Sequence, residues 1–279
     1  MSKSKRDKSL KAKDLRPCKL CSFKFDKQAM QCPSCNTWNT GAHADDPSQD
    51  GTVLLSDASV AALTQLQTGP WDPCFGQQIV GKKTIMGIVN TGVTLLGGAP
   101  GAGKSTLSLQ LAQAIIKTTK REILYVEAEE ATEELKARAV RLKINCLDRI
   151  RVVPMNSSTE MSGIITGRKP SAMIIDSLQG LCGTDLEAQV EFCKALKDYT
   201  VPGKFPAIVV SHVTKEEGFA GLMALQHAVD TTALFTVYDD GVRELKTVKN
   251  RFGPSNVERL FNMTIRGLEE RMPEEDDDD

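Results

Sequence analysis

Residues 98–105 read Gly-Ala-Pro-Gly-Ala-Gly-Lys-Ser and fit the pattern G-x-x-x-x-G-K-[ST]. A short β-branched apolar run, Val93-Thr94-Leu95-Leu96, precedes them. A stretch with apolar residues at helical spacing (Leu107, Leu111, Ala114, Ile115) follows. This strand–loop–helix order separates a phosphate-binding loop from a chance glycine-rich turn. Glycine lets backbone N–H groups turn inward and come close to a phosphate, and the helix N-terminus adds partial positive charge. The whole segment Gly98, Ala99, Pro100, Gly101, Ala102 and Gly103 is therefore expected to cradle a nucleoside triphosphate. Lys104 is expected to reach the β- and γ-phosphates, Ser105 to ligate Mg²⁺ through its hydroxyl, and Thr106 to meet the α-phosphate.

Four more runs resemble the first: Ile123–Val126, Ile150–Val153, Met173–Ile175 and Ala207–Val210. Each is short and nearly continuous, as strands covered on both faces are. Amphipathic stretches lie between several of them; Glu133–Leu142 aligns Leu135, Ala139 and Leu142. The alternation predicts an α/β fold with a mostly parallel sheet and helices on both faces. After Ala228 the pattern changes to two strands turning at Asp240-Gly241, a hairpin signal, with a further strand in Arg259–Ile265.

In such a sheet, ligands bind where the strands exit. Glu127, Glu129 and Glu130 follow the second run, Asp176 and Ser177 the fourth, and Ser211-His212 the fifth. Glu129 or Glu130 suits deprotonation of an attacking water, and Glu127 is read as structural. Asp176 suits Mg²⁺ ligation, directly or through water. His212 is placed to sense the γ-phosphate and relay its loss to Thr214–Met223.

Cys18-x-x-Cys21 and Cys32-x-x-Cys35 are two knuckles ten residues apart. Four thiolates so spaced close a tetrahedral Zn²⁺ shell, and about 40 residues have too little core to fold without one. Cys74, Cys146, Cys182 and Cys193 are scattered and read as ordinary packing residues.

Charge is unevenly spread. Residues 1–40 carry a net +7 and the last six residues, Glu-Glu-Asp-Asp-Asp-Asp, a net −6, although the whole chain stands at −1. A basic head suits a polyanion partner; an acidic tail of this composition stays unfolded. No run of about 18 apolar residues suggests a membrane span, and the basic start lacks the apolar stretch of a secretory signal. A reducing, cytoplasmic setting is expected. The reading divides the chain into a head (1–16), a zinc ribbon (17–40), a linker (41–70) with a short helix near Ser59–Gln67, a catalytic domain (71–270) and a tail (271–279).

These motifs resemble the RadA (Sms) family of RecA-like ATPases, which is related to DnaB-type helicases. The resemblance is carried by the Cys32-Pro33-x-Cys35-x-x-Trp38-Asn39-Thr40 end of the ribbon, the P-loop, Tyr125–Ala131, Ile175-Asp176-Ser177-Leu178-Gln179, Ser211–Glu216 and His227-x-Val229-Asp230-Thr231. Most specific is Lys249-Asn250-Arg251-Phe252-Gly253. The resemblance implies a RecA-like P-loop core with a zinc ribbon, bound ATP, Mg²⁺ and Zn²⁺, and a hexameric ring with nucleotide between subunits. It makes Lys249 and Arg251 cations offered in trans to a neighbour's γ-phosphate. It places single-stranded DNA against Gln179–Asp185 and Lys215–Leu225, Gln179 and Lys215 being the named contacts. It implies an ATP-driven motor for branch migration or unwinding, with a recombinase, primase or other repair protein as partner. A DnaB-type replicative helicase and a nucleotide-gated DNA scaffold with little hydrolysis are the alternatives. Few residues follow the Lys249–Gly253 signature, so the family's Lon-protease-like domain is not expected here, and the compact form leaves bacterial or viral origin open. Glu127 and Ala128 stand where the family usually has small residues, Ala131 replaces a usual Ser, and Gln226 a usual Glu.

Overall fold

The computed structural model describes residues 15–17, 24–26, 34, 65–80, 83–154, 170–212 and 219–271. The chain divides into two units, Met1–Ala58 and Ser59–Asp279. In the first, Leu15–Pro17 (β1) and Lys24–Asp26 (β2) pair antiparallel. Cys18, Cys21, Cys32 and Cys35 lie outside the described residues, and so do Lys215 and most of the expected helix near Ser59–Gln67.

The larger unit begins before residue 71. Gln65–Leu66 (β3) forms antiparallel bridges to Ile88–Val89 (β6). At these two positions the structure has strand where a short helix was expected. The turn that follows is tied by Asp72, whose carboxylate accepts the Thr68 amide (2.8 and 2.9 Å) and the Gly69 amide (3.1 Å). That turn seats Trp71 against Phe261, ring centroids 6.1 Å apart. Gln77–Val80 (β4) and Lys83–Met86 (β5) form a hairpin.

The main sheet has nine strands among the described residues. They are Val93–Gly98 (β7), Ile123–Glu127 (β8), Ile150–Pro154 (β9), Met173–Asp176 (β10), Ala207–Ser211 (β11), Thr231–Val237 (β12), Arg243–Asn250 (β13), Glu258–Thr264 (β14) and Gly267–Glu270 (β15), in the order β15-β14-β13-β12-β7-β11-β10-β8-β9. β7 to β12 run parallel; β13, β14 and β15 are antiparallel additions after the Asp240-Gly241 turn.

The five apolar runs are strands as expected, and side-chain alternation divides their residues between two cores. Leu96, Tyr125, Ile174, Ile208 and Val210 face one layer with Lys104–Thr119 (α1) and Thr132–Arg141 (α2). Leu95, Val126, Ile175 and Val209 face the other, with Leu178–Cys182 (α3), Leu186–Gly203 (α4) and Phe219–Ala228 (α5). β9 is the exception to double burial. It is one edge of the sheet among the described residues, and Arg151 and Pro154 are exposed. No helix among the described residues is long and apolar enough to cross a membrane.

Candidate nucleotide site

The parallel strands β7, β11, β10 and β8 stand side by side. At their C-terminal ends they release Gly98, Ser211, Asp176 and Glu127 along one edge. The loop from Gly98 leads into α1, whose N-cap is Gly103, with no side chain capping the first turn. The first amides of α1 are thus left for an anion. Gly98 (φ +147°) passes so close to β12 that a Cβ would fall 2.8 Å from the Phe235 carbonyl oxygen. Gly101 (φ +76°) faces open space, so its glycine serves the left-handed backbone alone. Lys104 is buried and donates to the carbonyls of Gly98 and Ala99 at 2.7 and 2.8 Å. Burial pushes its pKa below the ordinary ammonium value, while Asp176 and Glu129 pull the other way. A triphosphate would supply the countercharge this buried ammonium calls for.

Asp176 is buried. Burial raises its pKa, and hydrogen bonds from Ser105 and Tyr125 oppose that rise; the Tyr125 phenol donates at 2.8 Å. Ser105 and Asp176 thus present adjacent hard oxygens. Mg²⁺ takes one or two protein oxygens plus substrate phosphates and waters, so this pair fits the ion. Among the described residues no cluster of three His, Cys, Asp or Glu side chains forms a fuller metal cage.

The structure separates the two candidate bases. Glu129 receives the Ser177 hydroxyl and lies 2.9 Å from His212 Nε2. Glu130 turns away to an ion pair with Arg138 at 2.6 Å. Glu127 is buried and accepts the amides of Glu129 and Glu130 at 3.0 Å each. Burial pushes its pKa up to about 7, with Asp176 and Glu130 adding to the rise against those two hydrogen bonds.

Gln179 was expected on a DNA-facing segment, but its side-chain amide is engaged inside the site. Its Nε2 donates to the Ser211 hydroxyl and its Oε1 accepts the His212 amide, both at 3.0 Å. It therefore bridges the starts of α3 and of the segment carrying His212. The identity of a Gln three residues after a strand-end Asp was visible in the sequence, but its partner 33 residues further along was not.

Lys249 and Arg251 lie at the other end of the sheet. Asn250 pairs with Thr231, and Thr231 with Thr94 at the start of β7. That is about 13 Å of strand away from Gly98. β13 ends at Asn250, so Lys249 lies on the strand and Arg251 just beyond it. Lys249 donates to the carbonyls of Gln226 and Val229 (2.8 Å for the latter), closing the C-terminal end of α5. Arg251 pairs with Asp230 at 3.1 Å and keeps over half its side chain exposed (56%). The same Asp230 oxygen takes Lys197 at 2.9 Å, and its other oxygen takes the Val93 amide at 2.9 Å. The sequence reading assigned no role to Lys197 and did not single out Asp230 as a hub.

A glycine loop at the end of a central parallel strand, a buried lysine, a strand-end Ser/Asp oxygen pair and an acidic turn define a P-loop nucleotide-binding core of the RecA-like α/β class. Residues 76–218 match the sequence family described as AAA domain. The chain is 33% identical over 281 residues to DNA repair protein RadA of Pseudomonas aeruginosa, covering 93% of this chain and 60% of that protein. It is 31% identical over 266 residues to DNA repair protein RadA of Aquifex aeolicus (92% and 59%), and 31% identical over 274 residues to that of Bacillus subtilis (91% and 58%). The chain therefore belongs to the AAA-domain family, as a RadA-type member. It spans about three fifths of the length of these relatives.

Proposed function

We propose that the chain is a Mg²⁺-dependent ATPase that grips single-stranded DNA and moves along it, driving branch migration or unwinding in recombination and repair. The convergence of Lys104, Asp176, Glu129 and His212 at one strand-end edge carries this reading. In the proposed step, water attacks the γ-phosphorus in line as the bond to the β–γ bridging oxygen breaks, and ADP departs. Glu129 orients the water and takes its proton. Lys104 and the amides of the loop bear the charge that develops on the phosphate oxygens. Mg²⁺ held by Ser105 and Asp176 would neutralise charge across the β- and γ-phosphates.

His212, bonded to Glu129, is placed to register loss of the γ-phosphate and pass it to the segment behind it, where Lys215 is the proposed phosphate contact to DNA. Such contacts are salt-sensitive and indifferent to sequence. Arg251 lies too far from its own P-loop to act there, which supports a role in trans inside a ring of copies, proposed as a hexamer, with Lys249 beside it. Cys18, Cys21, Cys32 and Cys35 are proposed to hold one Zn²⁺ in an N-terminal ribbon that meets a repair or replication partner. The relatives are DNA repair proteins, and repair is the proposed setting for this chain.

The test is ATP turnover with and without single-stranded DNA, for wild type and Arg251→Ala. DNA should stimulate the wild type, and the variant should lose that stimulation. Full activity in Arg251→Ala overturns the role in trans. Wild-type turnover no higher than that of Glu129→Gln favours a nucleotide-gated scaffold. Preference for a fork over a three-stranded junction favours a replicative helicase.

A further inference from the structure

The turn that carries Glu129 is pinned by side-chain carboxylates on both flanks. Glu127 Oε1 accepts the amides of Glu129 and Glu130, each at 3.0 Å. Glu134 Oε2 accepts the Ala131 amide at 3.1 Å. The Ala128 amide donates to the Asp176 carbonyl at 2.8 Å. Ala128 also lies hard against Gly180, where an added Cβ would fall 2.6 Å from the Ala128 carbonyl oxygen. Every amide from 128 to 131 thus has a fixed acceptor, in a stretch with no regular secondary structure of its own.

Among these acceptors, Glu127 is the one that determines where Glu129 stands. It is the last residue of β8, 3% exposed, paired in register with Asp176 on β10, and so it cannot drift with the loop. Its two bonds fix the Glu129 backbone nitrogen, and with it the direction in which the Glu129 side chain leaves the chain. That direction ends at Ser177 and His212. A buried carboxylate at the end of a strand is unfavourable unless such donors meet it, so the position would not hold an acid for packing alone.

We infer that Glu127 is a positioning residue for hydrolysis: its buried side chain holds the backbone of Glu129 so that the Glu129 carboxylate meets the attacking water. The inference rests on the hydrolytic reading above. Glu127 touches no reacting atom and acts only through Glu129. Displacement of a catalytic group by about 1 Å is worth up to about a hundredfold in rate, so the pin has a measurable effect.

The experiment compares wild type, Glu127→Gln and Glu127→Ala in full-length protein. It reads kcat and KM for ATP, with binding of a fluorescent ATP analogue and Mg²⁺ measured separately. Glutamine keeps an oxygen acceptor at the same place; alanine does not. Glu127→Gln should stay within about twofold of wild type in kcat. Glu127→Ala should lose at least about tenfold in kcat with KM and analogue binding unchanged. A kcat for Glu127→Ala within twofold of wild type overturns the inference, as does a Glu127→Gln loss equal to that of Glu127→Ala. Amide hydrogen exchange on the wild type needs no variant to fold: the Glu129 and Glu130 amides should exchange at least about tenfold slower than those of exposed Asp239 and Asp240, and equal rates overturn the pin. Wild type that binds the analogue but never turns over ATP refutes the hydrolytic reading, while the exchange rates still report on the pin.

Discussion

Replacing Glu127 by glutamine should change how the stability of the larger unit depends on pH. In the folded chain the Glu127 carboxyl holds its proton up to about pH 7, against an ordinary value of 4.5, chiefly because it is buried. Between those two pH values the folded state binds more protons than the unfolded state. Wild-type stability therefore falls as pH rises through this window and levels off above it, where both states are ionised. The window is about 2.5 pH units, and at about 1.4 kcal/mol for each the ceiling is about 3 kcal/mol. Part of the rise comes from Asp176 and Glu130, which can relax, so about 2 kcal/mol is the expected effect. Glutamine does not titrate. The stability gap of Glu127→Gln over wild type should be near zero at pH 4.5 and open to about 2 kcal/mol by pH 8. Urea unfolding without added divalent cation measures it. Trp71, 5% exposed, is the fluorescent reporter once Trp38 is replaced by Phe. A gap that is constant with pH, or that narrows as pH rises, refutes the reasoning.

Other outcomes follow from the same structure. Glu129→Gln should lose at least about a hundredfold in ATP turnover while retaining binding of Mg²⁺ and nucleotide, whereas Glu130→Gln should change turnover little and weaken only the tie to Arg138; steady-state kinetics of the pair distinguishes the two acids. Leu111→Ala, at a fully buried position on α1, should cost about 3–5 kcal/mol of stability by urea unfolding. One zinc per chain should be found by elemental analysis, and Cys18→Ser should abolish it while leaving Trp71 fluorescence of the larger unit unchanged.

The fold was legible where hydrophobic pattern and motif agree. The five apolar runs were found as strands because each is short and nearly continuous, as four of them must be to fill a core on both faces of the sheet, and the hairpin was found because Asp240-Gly241 supplies the turn. Ile150–Val153 looked like the others, but being at a sheet edge is a property of neighbours, which one segment does not encode. Gln65–Leu66 was misread because two residues bridging Ile88–Val89 leave no periodic trace. At the site, the residue types at the strand ends were readable, since a P-loop and carboxylates after apolar runs carry their own chemistry. Which acid faces inward was not readable: Glu129 and Glu130 are adjacent and identical, and only the position of Arg138, eight residues further on, draws Glu130 aside. The sharing of Asp230 between Lys197 and Arg251 joins residues 20 or more positions apart and leaves no local pattern.

That shared carboxylate has an energetic consequence for Arg251. Stripping the last cation from a nearly buried anion is severely destabilising, but Asp230 would keep Lys197 if the Arg251 guanidinium left it. With that second counter-ion in place, loss of the arginine's contact would leave no orphaned charge behind.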